Sequence, residues 1–290
     1  MSIWKRRRDR AGKLRSQHPH AAEILAFYEQ VLGVQELLYR KTQTASWADG
    51  VAVRNDGETD LRLHLDQLPE QECRRLFRAF ARQIGSVSTE VLAPIASRLA
   101  ATDSPADDVL DVFLSRQPLD ELSSALECKP PPLEFFPRAF LQPLVEAVAD
   151  KAQAARRRKP GSPGATEHNP STCCPRCGWP PLLGLLRDES EAKGERRLVC
   201  SLCSHEWRFP RSTCPACGEA RADRLQYHVT DFWPHLRVEE CESCQTYIKA
   251  VDLRTDGQAV SVVDELASVE LDLWATEQGL EKLQRNLLGH

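Results

Sequence analysis

The 290-residue sequence lacks any long apolar run: no window approaches the roughly 18 apolar residues that a membrane-spanning helix needs. It lacks a strong charge of either sign, and a formal net charge of -4 gives no general attraction to nucleic acid or anionic lipid. Arg6, Arg7 and Arg8 suggest a twin-arginine export signal, but the apolar core that must follow such a pair is missing. The expectation is a cytoplasmic chain with a solvated basic tail over 1–17. Missing too are a phosphate-cradling loop, a nucleophile beside a base, and a pair of acid–base carboxylates, so the sequence does not read as an enzyme.

What the chain has is cysteine. Of eleven cysteines, nine lie between residues 173 and 244. In a reducing compartment such a group points to metal ligation more than to disulfides. Eight of them form C-x-x-C pairs: Cys174/Cys177, Cys200/Cys203, Cys214/Cys217 and Cys241/Cys244, separated by 22, 10 and 23 residues. The first and third pairs read CPRCG and CPACG, the second and fourth CSLCS and CESCQ. A shift of 40 or 41 residues therefore lays one long-gap unit on the other, as an internal duplication would.

The spacing has a physical basis. Two intervening residues make a tight turn that aims both sulfurs at one ion. Proline presets φ, and glycine tolerates the positive φ that brings N–H groups toward the sulfurs. Two pairs complete a tetrahedral S4 shell. The duplication joins pairs one and two in one site and pairs three and four in the other; a cross-braced union of pairs one and three is the alternative. A unit of about 30 residues is too small for a self-sufficient core, so metal must contribute on the order of 10 kcal/mol to its folding. Zinc and a single iron both suit such a shell. His205 is a weaker candidate ligand, because four thiolates already close the shell, and His228 and His235 are weaker still. Cys173 matches Thr213 in the second unit and is the spare thiol. Strands are expected over 197–199 and 247–251. Trp207 and Ile248, each four residues beyond the last cysteine of a unit, are expected to pack alike.

The rest of the chain is organised around helices. Residues 18–156 read as an all-helical domain. Ile24, Phe27, Val31, Val34 and Leu38 recur at spacings of 3 and 4, and Cys73, Phe77, Phe80 and Ile84 repeat the pattern after Pro69. Ser104-Pro105 with Asp107 and Asp108 marks another helix start. A further helix is expected from about Pro137 to Arg156, with Phe140, Leu144, Val145 and Val148 inward and a kink or restart at Pro143. Cys73 and Cys128 read as small buried hydrophobes. Residues 157–172, rich in glycine, proline and serine, form a linker. The metal modules occupy 173–211 and 212–256. A C-terminal helix is expected over 257–290, with Val263, Leu266, Leu273 and Leu280 at roughly heptad spacing. The fold class is thus α+β and multidomain: a helical N-terminal domain, two tandem rubredoxin-like or zinc-ribbon-like modules, and a C-terminal helix.

Three function classes compete. A tandem zinc-ribbon nucleic-acid binder needs a basic face, yet residues 173–252 hold 11 Lys/Arg against 12 Asp/Glu. A rubredoxin-like electron carrier would explain the CPxCG knuckles but not the helical domain. The third class comes from resemblance. CPRCGWPP, CSLCSHEW, CPACG and the stretch 244–272, CQTYIKAVDLRTDGQAVSVVDELASVELD, resemble the FdhE family of accessory proteins for respiratory formate dehydrogenase. The likeness covers the cysteine region through the C-terminal helix, and more loosely the helical part.

The resemblance implies a cytoplasmic assembly factor that binds the catalytic subunit of formate dehydrogenase before its export. It implies two mononuclear iron sites, with zinc as the alternative, at Cys174, Cys177, Cys200, Cys203 and at Cys214, Cys217, Cys241, Cys244. Pairs two and four lack the proline and glycine of CPxCG, so fewer N–H groups are expected at their sulfurs. Trp179, Trp207, Tyr247 and Lys249 are the candidate partner contacts, and dimerisation is left open.

Overall fold

The computed structural model describes residues 2–49, 51, 63–88, 90–101, 105–157, 171–189 and 193–290. Most of the expected linker and the Ser104 cap lie outside these. The chain divides into two compact units: Met1–Ala26 with Ala165–Asn286 and His290, and Phe27–Gly164 with Leu287–Gly289. No helix among the described residues is long and apolar enough to cross a membrane.

The helices are α1 (Ile3–Gln17), α2 (Ala22–Thr44), α3 (Glu70–Gly85), α4 (Leu92–Ala100), α5 (Ala106–Leu114), α6 (Asp120–Ala125) and α7 (Pro130–Arg157). In α3 the expected stripe of Cys73, Phe77, Phe80 and Ile84 is buried, each side chain contributing about 1.5–3 kcal/mol for the larger apolar groups. Burial pushes the Cys73 thiol up to about 12, which fits a packing role. Cys128 is only half-buried. The inward face of α2 is rotated from the expected one: Leu25, Tyr28, Leu32 and Gln35 are buried beside Val31 and Leu38, while Ile24, Phe27 and Val34 are half-buried.

Helix α7 begins seven residues before its expected start and passes Pro143 unbroken. Pro130, Pro131 and Pro132 sit where first-turn N–H groups need no partner, so they open the helix instead of preventing it. Every residue from 135 to 149 is buried, the signature of a helix surrounded on all sides. Phe140 meets Phe77 and Phe80 with ring centroids 5.2 and 5.8 Å apart, and Gln35 Nε2 donates to the Ala139 carbonyl at 2.8 Å.

The expected solvated tail over 1–17 is corrected: it is α1, with Trp4, Arg7, Arg10, Ala11 and Leu14 buried. Their spacing of 3, 3, 1 and 3 makes one helical face, and the arginines are absorbed by partners. Arg10 Nε donates to Asp264 at 2.9 Å and its Nη2 to Asp256 at 2.8 Å, while His235 Nε2 lies 2.7 Å from the same Asp264. Arg7 covers the Trp4 ring at 4.8 Å and donates to Ser204 Oγ at 3.3 Å.

The cysteine region builds one sheet from two copies of a three-stranded unit. The first copy is β1 (Pro181–Arg187), β2 (Glu195–Cys200) and β3 (Glu206–Arg208); the second is β4 (Leu225–Val229), β5 (Leu236–Cys241) and β6 (Thr246–Asp252). Strand order is β3-β2-β1-β6-β5-β4, antiparallel within each copy, with β1 parallel to β6 at the joint. The copies are thus joined head to tail. Gly184 stands opposite Ala250, and a Cβ on it would lie 3.1 Å from the alanine Cβ, so the close packing of the joint favours glycine. Arg196 of β2 reaches across it to Glu239 of β5 at 2.5 Å.

The C-terminal helix is present but broken at Ser268 into α8 (Ser261–Ala267) and α9 (Val269–Glu277), after which β7 (Glu281–Lys282) pairs parallel with β6. The heptad reading fails at Leu273, which is 56% exposed. Ala275 and Leu280 pack instead on Val238 and Tyr247.

Candidate metal centres

Each knuckle grows from a strand end. Cys200 closes β2 opposite Pro181, and Cys241 closes β5 opposite Leu225. The hydrogen bonds repeat as the sequence does. Cys174 N–H donates to the Trp179 carbonyl and Cys214 N–H to that of Glu219, both at 2.8 Å. Ser201 N–H donates to Pro180 and Glu242 N–H to Arg224, at 3.1 and 2.9 Å.

The sulfurs gather as the duplication requires. Cys174, Cys177, Cys200 and Cys203 form one cluster and Cys214, Cys217, Cys241 and Cys244 another, the ligand atoms of each lying within 4.8 Å of one another. This excludes the cross-braced alternative. In the first cluster Sγ–Sγ separations are 3.6 Å for Cys174–Cys203, 3.4 Å for Cys177–Cys200 and 3.5 Å for Cys177–Cys203. In the second they are 3.8 Å for Cys214–Cys244 and 3.7 Å for Cys217–Cys241. A tetrahedron with metal–sulfur bonds of roughly 2.3 Å has edges of about 3.8 Å, so both clusters can hold an ion with little movement. Cys173 and His205 belong to neither cluster.

Electrostatics single out one sulfur of the first cluster as a thiolate. Burial alone would raise the Cys174 thiol, but hydrogen bonds from Cys177, Cys200 and Cys203 bring it well below the ordinary range, while burial pushes Cys200 and Cys203 well above it. One thiolate is thus held by its neighbours' protons, and a cation would replace those protons at all four. His205 is driven down to about 4, first by burial and then by Arg176, so it is neutral near pH 7. Its carbonyl accepts from Cys200 N–H at 2.9 Å, which makes it part of the knuckle's backbone and not a ligand.

The expectation that pairs two and four offer fewer N–H groups is overturned. Cys200 Sγ accepts from Leu202 and Cys203, both at 3.4 Å, and Cys241 accepts from Ser243 and Cys244. The reason is backbone geometry. The residue after each second cysteine has positive φ in all four knuckles: Gly178 at 75°, Ser204 at 52°, Gly218 at 78° and Gln245 at 56°. Serine and glutamine are held in the left-handed region that glycine enters freely, at a cost of about 1 kcal/mol each.

The four candidate partner contacts are corrected. Trp179, Trp207, Tyr247 and Lys249 are all buried, Lys249 completely. Trp207 is paired with Leu198 and Ile248 with Glu239, equivalent positions in the two copies, so these residues do pack alike. Trp207 Nε1 donates to the Ser171 carbonyl at 2.9 Å. Tyr247 donates to Asp272 at 2.9 Å. Lys249 Nζ donates to the Glu265 carbonyl at 2.6 Å and to Asp272 at 2.7 Å, and it meets the Glu265 carboxylate at 3.2 Å. Lys282 bonds the same two acids at 2.5 and 2.9 Å. The sequence segments TYIK and DELAS are thus two sides of one buried ionic network. The sequence reading did not find the matching Arg10–Asp264–His235 set, although the 4, 7, 11, 14 spacing in α1 carried a signal for it.

Two family models match the chain: FdhE, central domain, over residues 173–211, and FdhE, C-terminal domain, over 213–288. A Protein FdhE homolog of Aquifex aeolicus is 36% identical over 158 residues, 54% of this chain and 52% of that protein. One from Pseudomonas aeruginosa is 39% identical over 121 residues, 40% of this chain and 39% of its own. The chain therefore spans about half or less of the length of these relatives. The crystal structure of the FdhE protein from Pseudomonas aeruginosa superposes with a TM-score of 0.65 at 23% identity, covering 99% of this chain and 95% of that one, which shows a shared fold.

Proposed function

We propose, from the FdhE central and C-terminal domains that match the chain, that it is a member of the FdhE family and a cytoplasmic accessory protein for respiratory formate dehydrogenase, holding the catalytic subunit during maturation. The observation that carries the reading is the pair of four-cysteine clusters set in a single sheet. Four protein thiolates leave a tetrahedral ion no vacant position for a substrate, so the metal's task is to fix shape. Cys174, Cys177, Cys200 and Cys203 hold one ion; Cys214, Cys217, Cys241 and Cys244 hold the other. Iron is the proposed occupant, with zinc the alternative that the same geometry admits. When bound, either ion supplies folding free energy, and iron would add one-electron chemistry. The protein's own residues do the rest: the joint at Gly184 and the Lys249 network make two small modules one rigid body that a partner can recognise.

The test is retention of the formate dehydrogenase catalytic subunit by the intact, metal-loaded chain, together with restoration of formate dehydrogenase activity in cells lacking it. Failure to retain the subunit would overturn the reading. Metal content settles the occupant: ferric thiolate absorption with two irons per chain supports iron, and a colourless protein with two zincs replaces it.

A further inference from the structure

The duplication assigns a use to an edge that the accessory role does not explain. Registers can be compared by counting back from the cysteine that ends the middle strand of each copy. Gly184 opposite Leu198 then corresponds to Tyr227 opposite Glu239, and Leu186 opposite Arg196 corresponds to Val229 opposite Arg237. In the first copy the outer edge over Gly184, Leu185 and Leu186 is occupied: Ala250, Val251 and Asp252 of β6 pair with it in parallel. The equivalent edge of the second copy, Tyr227 to Val229, ends the sheet and pairs with no strand among the described residues.

Sheet edges are normally blunted by charge, proline, a bulge or brevity, because their free N–H and C=O groups template further pairing. The opposite edge obeys this rule. Strand β3 is three residues long and carries Glu206 and Arg208 on either side of Trp207. Strand β4, Leu-Gln-Tyr-His-Val, has no proline and no acidic or basic residue apart from His228, and its register with β5 is unbroken. Tyr227 is 64% and Val229 70% exposed, and with Phe232 they make three of the seven large exposed apolar side chains among the described residues. Their clustering within six positions marks an interaction surface and not scattered exposure. Beside Tyr227 lies a cleft on the face of β4, β5 and β6, bounded by Tyr227, Glu239, Ile248, Pro215 and Ala216.

We propose that the outer edge of β4 is a strand acceptor: it takes an extended segment of a partner polypeptide in parallel, as β1 takes β6, by main-chain pairing. The internal copy defines the occupant's chemistry. It should resemble Ala250-Val251-Asp252, a small and a branched apolar side chain followed by an acid, with the alternate ones entering the cleft beside Tyr227. A second copy of the chain is a poorer fit. Its β3 is short and charged, and β4 against β4 about a two-fold axis would run antiparallel, unlike the joint. The repeat offers this edge to a strand whichever protein supplies it.

The test uses the full-length, metal-loaded chain and an end-blocked peptide with the sequence of Thr246–Asp252, followed by amide hydrogen exchange. At peptide concentrations of about 1 mM, a typical range for a short strand, the amides of Leu225–Val229 should be protected. The double variant Tyr227→Lys/Val229→Lys should lose that protection at least ~10-fold, since edge lysines oppose pairing, whereas Val91→Lys, an equally exposed change elsewhere, should retain it. Unchanged exchange over Leu225–Val229, or equal binding by the double variant, would overturn the proposal. So would sedimentation showing a free dimer that the double variant splits, because a second copy would then own the edge. Formate dehydrogenase activity is a separate readout, so failure of the accessory role and failure of the strand acceptor remain distinguishable.

Discussion

The two four-cysteine modules share a sequence pattern, a hydrogen-bond scheme and a strand order, yet they differ in how far water reaches the sulfurs. All four cysteines of the first are buried; in the second Cys217 is exposed and Cys244 half-buried. The first module is covered where Arg7 of α1 reaches Ser204 and Trp207 reaches Ser171. In the second, Glu281 N–H of β7 donates to the Gln245 carbonyl at 2.8 Å, and a surface clamp lies over the knuckles, in which Ser243 and Arg221 donate to Glu219 at 2.7 and 3.2 Å and hold its carboxyl down to about 2, with Arg221 the larger cause. A duplicated motif can therefore give one sheltered and one accessible centre, depending on what packs over it.

The largest effect should come from removing a ligand. Cys200→Ser and Cys217→Ser should each halve the metal content, and each should melt its own module, since the ion contributes on the order of 10 kcal/mol. Hydrogen exchange would show β1–β3 open in the first variant and β4–β6 open in the second. In the unmodified chain a chelator should remove metal in two phases of equal amplitude, the fast one lost in Cys217→Ser. Release in a single phase would break the comparison, by showing that exposure of Cys217 does not govern access.

Next in size is the network behind the second module. Lys249→Met leaves Asp272 and Glu265 buried with Lys282 as their sole cation, and should cost about 3–5 kcal/mol in denaturant unfolding. The network also predicts a pH dependence. Burial would raise the Asp272 carboxyl, but Lys249 and Lys282 hold it below its ordinary 3.8. Its stabilisation is therefore present above about pH 4 and is lost as pH falls through the lower folded value. Lys282, though burial opposes it, is raised above 10.5 by Glu265 and Asp272. Its contribution is complete below that value and is lost as pH rises through the folded one. The difference between the unmodified chain and Lys249→Met should narrow at low pH.

Much of this was legible in the residues, for a definable reason. Metal ligands sit at fixed spacings along the chain, so pairs one with two and three with four follow from the repeat. The helical stripe of α3 follows from local periodicity. What escaped depends on contacts far apart in sequence. Arg10 and Asp264 are 254 residues apart, and a buried guanidinium reads as a solvated charge until its partner is known. Tyr247 and Lys249 resembled surface contacts for the same reason. Strands β1 and β4 were missed because PLLGLLR is buried at nearly every position and LQYHV is an exposed edge, so neither alternates cleanly.

The joint gives a smaller test of the same contrast. Gly184→Val places a branched side chain against Ala250 and should cost about 1–3 kcal/mol by overpacking. The equivalent position in the second copy, Tyr227, already carries a large side chain with no strand on its outer side among the described residues, and its substitution by valine should stay within about 0.5 kcal/mol. If both changes proved equally costly, the outer edge of β4 would be a packed surface and not an open one.

The smallest predicted effect concerns the turns that close pairs two and four. Both Ser204 and Gln245 occupy positive φ, where glycine stands in pairs one and three. Gln245→Gly should relieve that strain and raise stability by about 1 kcal/mol, offset in part by glycine's extra freedom in the unfolded chain. The Gln245 side chain donates only to the Glu242 carbonyl, an exposed bond at 2.9 Å, so little is lost with it. Ser204→Gly relieves the same strain but removes one acceptor of Arg7, a buried guanidinium on the helix that covers the first module. Losing that hydrogen bond to a charged group costs about 1.5–3 kcal/mol, so the gain should vanish or reverse. Opposite signs in thermal unfolding would show that the first module is sheltered by α1 through this contact. Equal gains would mean that its cover comes from packing alone.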